Sequence, residues 1–284
     1  MTSGKKYWSD NTPVAGQQFE YGFDDIGNRN TTASGGDQFG ANLRYAGYTN
    51  NTLNQITGRS VPGYVNVIGS ATNTSTVTVN NQAAYRRSNY FRVELTTNNA
   101  TAPIWLGVTN LAVLNNGANP DIVSSVTGNV FVAQSPETYT YDLDGNLTSD
   151  GRWTNRWDAE NRLIEMEAIA SVPTAAKLKL AFAYDHQGRR IQKVVSTWNG
   201  SAFVAQSTNR FVYDGWNLIA ELNHTNGIVR TYLWGLDLSG SQQGAGGVGG
   251  LLLINQPATT NAQLFCAYDG NGNLAALVGA TNGT

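Results

Sequence analysis

Few side chains in this chain could exchange a proton near neutral pH. His186 and His224 are its two histidines, and imidazole is the side chain whose ordinary pKa lies in that range. Asp185 precedes His186, but neighbouring strand residues point to opposite faces, so this pair is poorly placed for acid–base work. His186, His224 and Asp185 are the catalytic candidates, and solvated turn positions are their more ordinary role.

The residues from 142 to 146 place two carboxylates and an amide close together, and such oxygens are ligands that Ca²⁺ prefers. The spacing differs from a helix–loop–helix calcium site, because Gly145 stands at the fourth loop position and Trp153 at the twelfth. We expect carboxylates that cap a turn, with Ca²⁺ binding by Asp142, Asp144 and Asn146 as the alternative.

The run from Gly244 to Gly249 satisfies the G-x-G-x-x-G pattern of dinucleotide sites. Such a site needs a helix directly after the glycines, and here the strand-like segment 251–254 follows. We therefore predict a glycine loop and no cofactor. The sequence also contains no Gly-x-Ser-x-Gly and no His-Glu-x-x-His motif.

Two further groups of side chains could act on or bind a sugar. The first is a run of carboxylates interleaved with arginines, typical of charge pairing on a strand: Asp158, Glu160, Glu165 and Glu167 with Arg152, Arg156 and Arg162. The second is a set of tryptophans that could stack on a ligand or pack in a core: Trp153, Trp157, Trp216 and Trp234.

The composition favours strands and turns. Charged residues make up 13% of the chain, about half the usual share, while glycine and aromatic residues are abundant. The formal net charge of −2 leaves no positive surplus for a phosphate backbone, so we expect no nucleic-acid partner. The single cysteine, Cys266, excludes an internal disulfide, and we expect it to be a small buried hydrophobe.

An aromatic-Asp-x-x-Gly-Asn unit recurs along the chain. Three clear copies are Phe23–Asn28, Tyr141–Leu147 and Tyr268–Leu274, and three degenerate copies are Trp157–Leu163, Tyr184–Arg189 and Tyr213–Leu218. Each unit predicts a hairpin in which Asp accepts hydrogen bonds from its own turn and Gly or Asn supplies a positive φ. The aromatic and aliphatic residues flanking the turn can then share one face of the sheet.

The stretches between turns alternate with period two, most clearly at 177–184, and predict half-buried strands. Residues 61–132 lack the aromatic-Asp units and contain short strand-like runs at the spacing typical of a β-sandwich. The predicted organisation is therefore 1–60 repeat strands, 61–132 a sandwich, and 133–284 a repeat sheet.

The Tyr-Asp-x-x-Gly-Asn-Leu units resemble the YD repeats of bacterial RHS proteins and of the related animal teneurins. The stretch Arg230–Gly235 with the glycine run after it is similar to the approach to the RHS core region, and residues 78–81 and 89–92 are similar to immunoglobulin-like inserts of large members. The resemblance implies an all-β fold, a curved antiparallel sheet of YD-repeat hairpins with an embedded immunoglobulin-like β-sandwich.

The same resemblance implies a structural or encapsulating segment of a large secreted or cell-surface repeat protein, a scaffold for toxin delivery or adhesion. The partners would be the rest of that parent protein and a surface glycan or protein. The N-terminus shows no signal-peptide pattern, and no apolar run is long enough to span a membrane. Because a repeat protein whose ends lack polar capping repeats is often a segment of a longer one, we expect a fragment. A glycan- or protein-binding module and a metal-assisted hydrolase of small esters, lactones or glycosides are the alternatives.

Overall fold

The computed structural model describes residues 2–257, 262–281 and 283. The prediction of an all-β fold is confirmed: the described residues form 25 strands and one short 3₁₀ helix, Thr174–Ala176. None of the helices in the described part of the chain is long and apolar enough to cross a membrane.

The strands, in chain order, are β1 Ser3–Tyr7, β2 Pro13–Phe23, β3 Arg29–Gly35, β4 Leu43–Asn50, β5 Ile56–Arg59, β6 Tyr64–Ser70, β7 Thr76–Val79, β8 Gln82–Ala83, β9 Tyr85–Arg87, β10 Tyr90–Thr96, β11 Ile104–Leu114, β12 Ile122–Val132, β13 Glu137–Thr138, β14 Thr140–Tyr141, β15 Leu147–Ser149, β16 Trp153–Trp157, β17 Leu163–Ala168, β18 Leu178–Tyr184, β19 Arg190–Trp198, β20 Phe203–Asp214, β21 Asn217–Leu222, β22 Ile228–Trp234, β23 Leu251–Gln256, β24 Ala262–Tyr268 and β25 Leu274–Gly279.

The chain divides into two compact units: unit 1 holds residues 1–154 and 168–177, and unit 2 holds residues 155–167 and 178–284. In unit 1 an antiparallel sheet has the strand order β1-β2-β3-β4-β5-β13. Strand β13 pairs with β5 through Glu137 and Arg59, so the chain returns to this sheet after the segment between them. The proposed division into three domains stays a prediction.

The intervening segment of unit 1 forms two sheets, β6-β10-β9 and β12-β11-β7-β8. Apolar side chains from both sheets enclose one core, formed by Val65, Val77, Val79, Phe91, Val93, Leu95, Val108 and Val132. Burial of each such side chain contributes about 1.5–3 kcal/mol, so this sandwich has its own source of stability. Its likeness to an immunoglobulin domain stays a prediction.

Unit 2 contains an antiparallel meander in which each strand from β17 to β25 is hydrogen-bonded to its neighbours in sequence. Its packing differs from that of unit 1. Every fully buried apolar side chain among the described residues belongs to unit 1, and the fully buried polar or charged side chains of unit 2 are Asn155, Glu221 and Asp237. Apart from Ala168, which ends β17 and belongs to unit 1, the described residues of the meander bury no apolar side chain fully.

Candidate functional site

The repeated turns share one hydrogen-bonding scheme, seen clearly at Asp142. Its amide donates to the carbonyl oxygen of Asn146, and the Gly145 amide donates back to the Asp142 carbonyl. Its carboxylate Oδ1 accepts from the amides of Asp144 and Asn146 at 3.0 and 2.8 Å, and Oδ2 accepts from the Asn146 side chain at 3.1 Å. Gly145 has φ +86°. The predicted turn chemistry is confirmed.

Eight loops in the described residues share the two backbone hydrogen bonds and the two amides on side-chain Oδ1, and they begin at Asp24, Asp37, Asn51, Asp142, Asp158, Asp185, Asn223 and Asp269. The sequence pattern identified five of them. The loops beginning at Asp37, Asn51 and Asn223 were missed because the residue before each is not aromatic and Asn replaces Asp in two of them. A search for Asp or Asn followed three residues later by Gly or Asn would have found them.

The unit at 213–218 does not form this loop, which corrects its assignment as a degenerate copy. Asp214 pairs directly with Asn217, so the turn between them contains just Gly215 and Trp216. Gly215 has φ +55°, as two-residue hairpin turns require. Trp216 at this turn is 63% exposed.

The catalytic candidates lie in turns and are not brought together. His186 is exposed in the loop after β18, and His224 is exposed in the loop after β21. Connections alternate between the two ends of a meander, so these loops lie at opposite ends of strands about 20 Å long. Partial burial raises the pKa of Asp185, but hydrogen bonds from the side chain and amide of Arg189 outweigh it and the net pKa lies below its ordinary value.

The calcium candidates are committed to their own turn. Partial burial raises the pKa of Asp142, but hydrogen bonds from Asn146 and the turn amides outweigh it, and the net pKa is lowered. Asp144 contributes its backbone amide to that turn. Within the described residues, no group of three or more His, Cys, Asp or Glu side chains could hold a metal ion.

The glycine run forms a loop around an aspartate. Asp237 is 6% exposed, and its carboxylate accepts hydrogen bonds from Ser239 and from the amides of Ala245 and Gly247. The Ser239 hydroxyl and these amides lower the pKa of Asp237 to about 2. The amides that would bind a phosphate in a dinucleotide site therefore hold the protein's own carboxylate.

The carboxylates from 158 to 167 pair with Arg156 and Arg162, as their spacing predicts, and also with Lys179, which was not predicted. The predicted pairing with Arg152 is not seen among the described residues. Asp158 and Glu160 contact Arg162, and Glu165 and Glu167 contact Lys179 at 3.0 and 2.9 Å. Cys266 is half-buried, not fully buried as expected, and burial raises the pKa of its thiol.

In unit 2, one end of the meander carries the turns 158–162, 185–189, 214–217, 235–250 and 269–273, which we call the turn ladder. In each turn after the first, the residue just before the turn is aromatic. Its side chain donates a hydrogen bond to the backbone carbonyl of the residue that directly follows the preceding turn of the ladder. The pairs are Tyr184 to Leu163 at 2.8 Å, Tyr213 to Arg190 at 3.0 Å, Trp234 to Leu218 at 2.7 Å and Tyr268 to Leu251 at 2.7 Å.

Two arginines add a second set of contacts along the turn ladder. Arg162 pairs with Asp158 of its own turn, lies 5.4 Å from the ring centre of Tyr184 and donates to the carbonyl of Asp185 in the next turn. Arg189 repeats this arrangement one turn further, lying 5.2 Å from the Tyr213 ring and donating to the Gly215 carbonyl. Each turn is thus joined to its neighbour without an apolar core.

Both faces of the unit 2 meander expose apolar side chains. Leu233 and Phe265 each lie opposite Leu253 in the strand register and so share its face, and they are 57% and 53% exposed. Leu252 projects from the other face and is 46% exposed. A sheet ordinarily buries at least one face against a second layer, so these faces are candidate contact surfaces.

No protein-family model matches the chain. Over 101 residues, 35% of the chain, it is 38% identical to the tRNA nuclease WapA of Bacillus subtilis (strain 168). The tRNA3(Ser)-specific nuclease WapA of Bacillus spizizenii matches with the same identity and coverage. The chain spans about 4% of the length of these relatives.

Two solved structures are also similar. The alignment with the structure of TcdB2-TccC3-TEV covers 98% of this chain and 14% of the TcdB2-TccC3-TEV chain, at 10% identity and a TM-score of 0.31. The structure of TcdB2-TccC3 without its hypervariable C-terminal region aligns with 99% and 14%, at 12% identity and a TM-score of 0.29. TM-scores of this size do not establish a common fold.

Proposed function

We propose that this chain is a scaffold segment of a much larger secreted or cell-surface repeat protein, with its YD-type hairpins forming part of a shell around a cargo. The observation that carries the proposal is the packing of unit 2, where no described apolar side chain is fully buried and both sheet faces expose Leu or Phe. Such a sheet needs a further layer or further strands to bury apolar surface.

The turn ladder supports this role physically. Hydrogen bonds and arginine contacts that link each turn to the next allow strands to be added one hairpin at a time, as in other repeat proteins. Stability then comes from contacts between neighbours, and the faces of the sheet remain available to the parent protein or its cargo.

The partial similarity to WapA supports a toxin-related scaffold at the level of the family. Those relatives are named as tRNA nucleases, and this chain spans about 4% of their length. We assign the nuclease activity to other parts of such proteins, because the net charge of −2 here leaves no positive surplus for RNA.

Hydrogen–deuterium exchange and dye binding test the proposal on the full chain. We expect amides of β18–β25 to exchange faster than those of β6–β12, and the chain to bind an apolar-surface dye and to self-associate as its concentration rises. A monomeric chain without dye binding, with equal protection in both regions, would refute the scaffold role.

A matched pair of variants identifies the responsible surface. Leu233→Glu with Phe265→Glu should reduce dye binding and self-association while leaving the strand content unchanged. Val126→Glu is the control, because Val126 is 63% exposed but belongs to unit 1. If Val126→Glu reduces dye binding and self-association as much as the double variant does, the contact surface lies elsewhere.

A further inference from the structure

Unit 1 contains a cleft of about 590 Å³, within the range of roughly 300–1,000 Å³ typical of small-molecule sites. Its polar wall is one face of the sheet β3-β4-β5-β13. In the strand register, Ser34 lies opposite Arg44 and Thr32 lies opposite Ala46. Arg59 lies opposite Tyr48 on one side and Glu137 on the other. The other residues that line the cleft include the apolar side chains Val130, Val132 and Ala133 and the carboxylate of Asp150.

Two arginines that line the cleft have carboxylate partners. Arg44 pairs with Glu94, and Arg59 pairs with Glu137 at 2.7 Å. Glu137 is 7% exposed and also accepts a hydrogen bond from Tyr139 at 2.8 Å. Burial and this hydrogen bond raise the pKa of Tyr139 above its ordinary value, so the hydroxyl remains a donor.

Arg152, the third arginine of the cleft, lacks such a partner. Its guanidinium carbon lies 4.7 Å from the ring centre of Phe131 and 4.9 Å from that of Trp153. Its Nε is buried without a hydrogen-bond partner, and in the described part of the chain the side chain makes no ion pair within 4 Å. Asp150 Oδ1 accepts hydrogen bonds from the backbone amides of Arg152 and Trp153 in its own turn.

This arrangement leaves the guanidinium without a salt-bridge partner, so it can pair with an added anion, although the Asp150 carboxylate of the same cleft also attracts it. Two aromatic rings lie against the guanidinium and restrict its side chain, so less side-chain freedom is lost when its planar fork binds a carboxylate. Burial lowers the pKa of Arg152, but arginine keeps its charge at neutral pH because its ordinary pKa is so high.

We propose that this cleft binds an acidic saccharide, with Arg152 receiving the sugar carboxylate. A sugar ring has hydroxyl edges and an apolar C–H face, and the cleft is lined by both polar and apolar side chains. The hydroxyl-bearing residues that line it are Thr32, Ser34, Tyr48 and Tyr64. The Ser34 and Tyr64 hydroxyls are 2.7 Å apart, which fixes their orientation. The proposal concerns unit 1 and does not depend on the scaffold role of unit 2.

The test uses the full chain with ¹⁵N-labelled arginine, titrated separately with D-glucuronate, D-glucose and acetate. We expect glucuronate to shift the Nε–Hε signal of Arg152 and to bind at least about tenfold more tightly than acetate, since the ring adds contacts to the carboxylate. Glucose should produce no shift at Arg152. Equal affinity for acetate and glucuronate, or no response to glucuronate, would overturn the proposal.

Two substitutions separate charge from geometry. Arg152→Met keeps the bulk beside the rings and should weaken glucuronate binding by about tenfold or more, and Arg152→Lys should weaken it less. Arg156→Met is the control, because Arg156 is 68% exposed and belongs to unit 2. Exchange protection of β6–β12 verifies folding of each variant. If a variant does not fold, the Arg152 signal of the unaltered chain still decides the question, and unchanged affinity in folded Arg152→Met would refute the assignment.

Discussion

The hydroxyl hydrogen bonds of the turn ladder should carry a measurable share of the stability of unit 2. Tyr184, Tyr213 and Tyr268 each donate to a backbone carbonyl at 2.7–3.0 Å across the sheet. Replacing one of them with Phe removes the hydroxyl and keeps the ring, so the change isolates the hydrogen bond. We expect each single substitution to cost about 1 kcal/mol.

The three substitutions should add. Tyr184 and Tyr213 lie on strands two positions apart in the sheet, which separates them by about 10 Å, and effects of sites at that distance are usually additive. The triple variant should therefore lose about 3 kcal/mol of local stability. At about 1.4 kcal/mol per tenfold change, exchange of the protected amides should accelerate roughly 100-fold.

Hydrogen–deuterium exchange resolved by peptide is the appropriate measurement, because unit 2 need not unfold together with unit 1. Peptides from β18–β25 should exchange faster in the triple variant, while those from β6–β12 should be unchanged. Tyr45→Phe is the control, since Tyr45 is 66% exposed and lies in unit 1. A triple variant within about twofold of the unaltered chain would show that these hydroxyls do not join the hairpins.

Three other outcomes follow from the site geometry. Arg189→Ala should speed hydrogen–deuterium exchange in β19–β21 by about tenfold. Arg156→Ala, which removes one exposed ion pair at 3.4 Å, should not change it. Similar exchange profiles of the two variants would contradict the role of arginine in the turn ladder. The amide of Gly247 should titrate with a midpoint near 2, the pKa of the Asp237 carboxyl it contacts. Because this pKa is lowered in the folded chain, the contribution of the carboxylate to folding stability is complete above a pH near 3.8, its ordinary pKa, and is lost as the pH falls toward 2. A midpoint near 4 would exclude the contact. Gly188→Ala should destabilise its hairpin by about 1–2 kcal/mol in urea unfolding, because φ is +79° there, and Gly188→Asn should cost less; equal stability of all three proteins would show that this φ is not required.

The sequence alone determined the local turns, since the residues that cap them and the residue that takes a positive φ lie within five positions of each other. The Asp142 and Asp269 loops form as predicted, and Tyr141 and Tyr268 pair across their strands with the aliphatic residues after the turn. The all-β character follows from the same local signals, because turns at short intervals leave room for strands alone.

The tertiary structure decided what those turns are joined to. Strand register made the Asp214 turn a two-residue turn. It also brought the Tyr213 hydroxyl within hydrogen-bond distance of the carbonyl of Arg190, which follows the preceding turn of the ladder. The cleft likewise depends on the return of the chain to its first sheet at β13, which brings Glu137 beside Arg59. Pairings between distant segments leave no periodic signal in a single sequence, because either partner alone is compatible with many neighbours. The difference between a sandwich with a core and a sheet whose described residues form none is therefore set by packing and not by strand propensity.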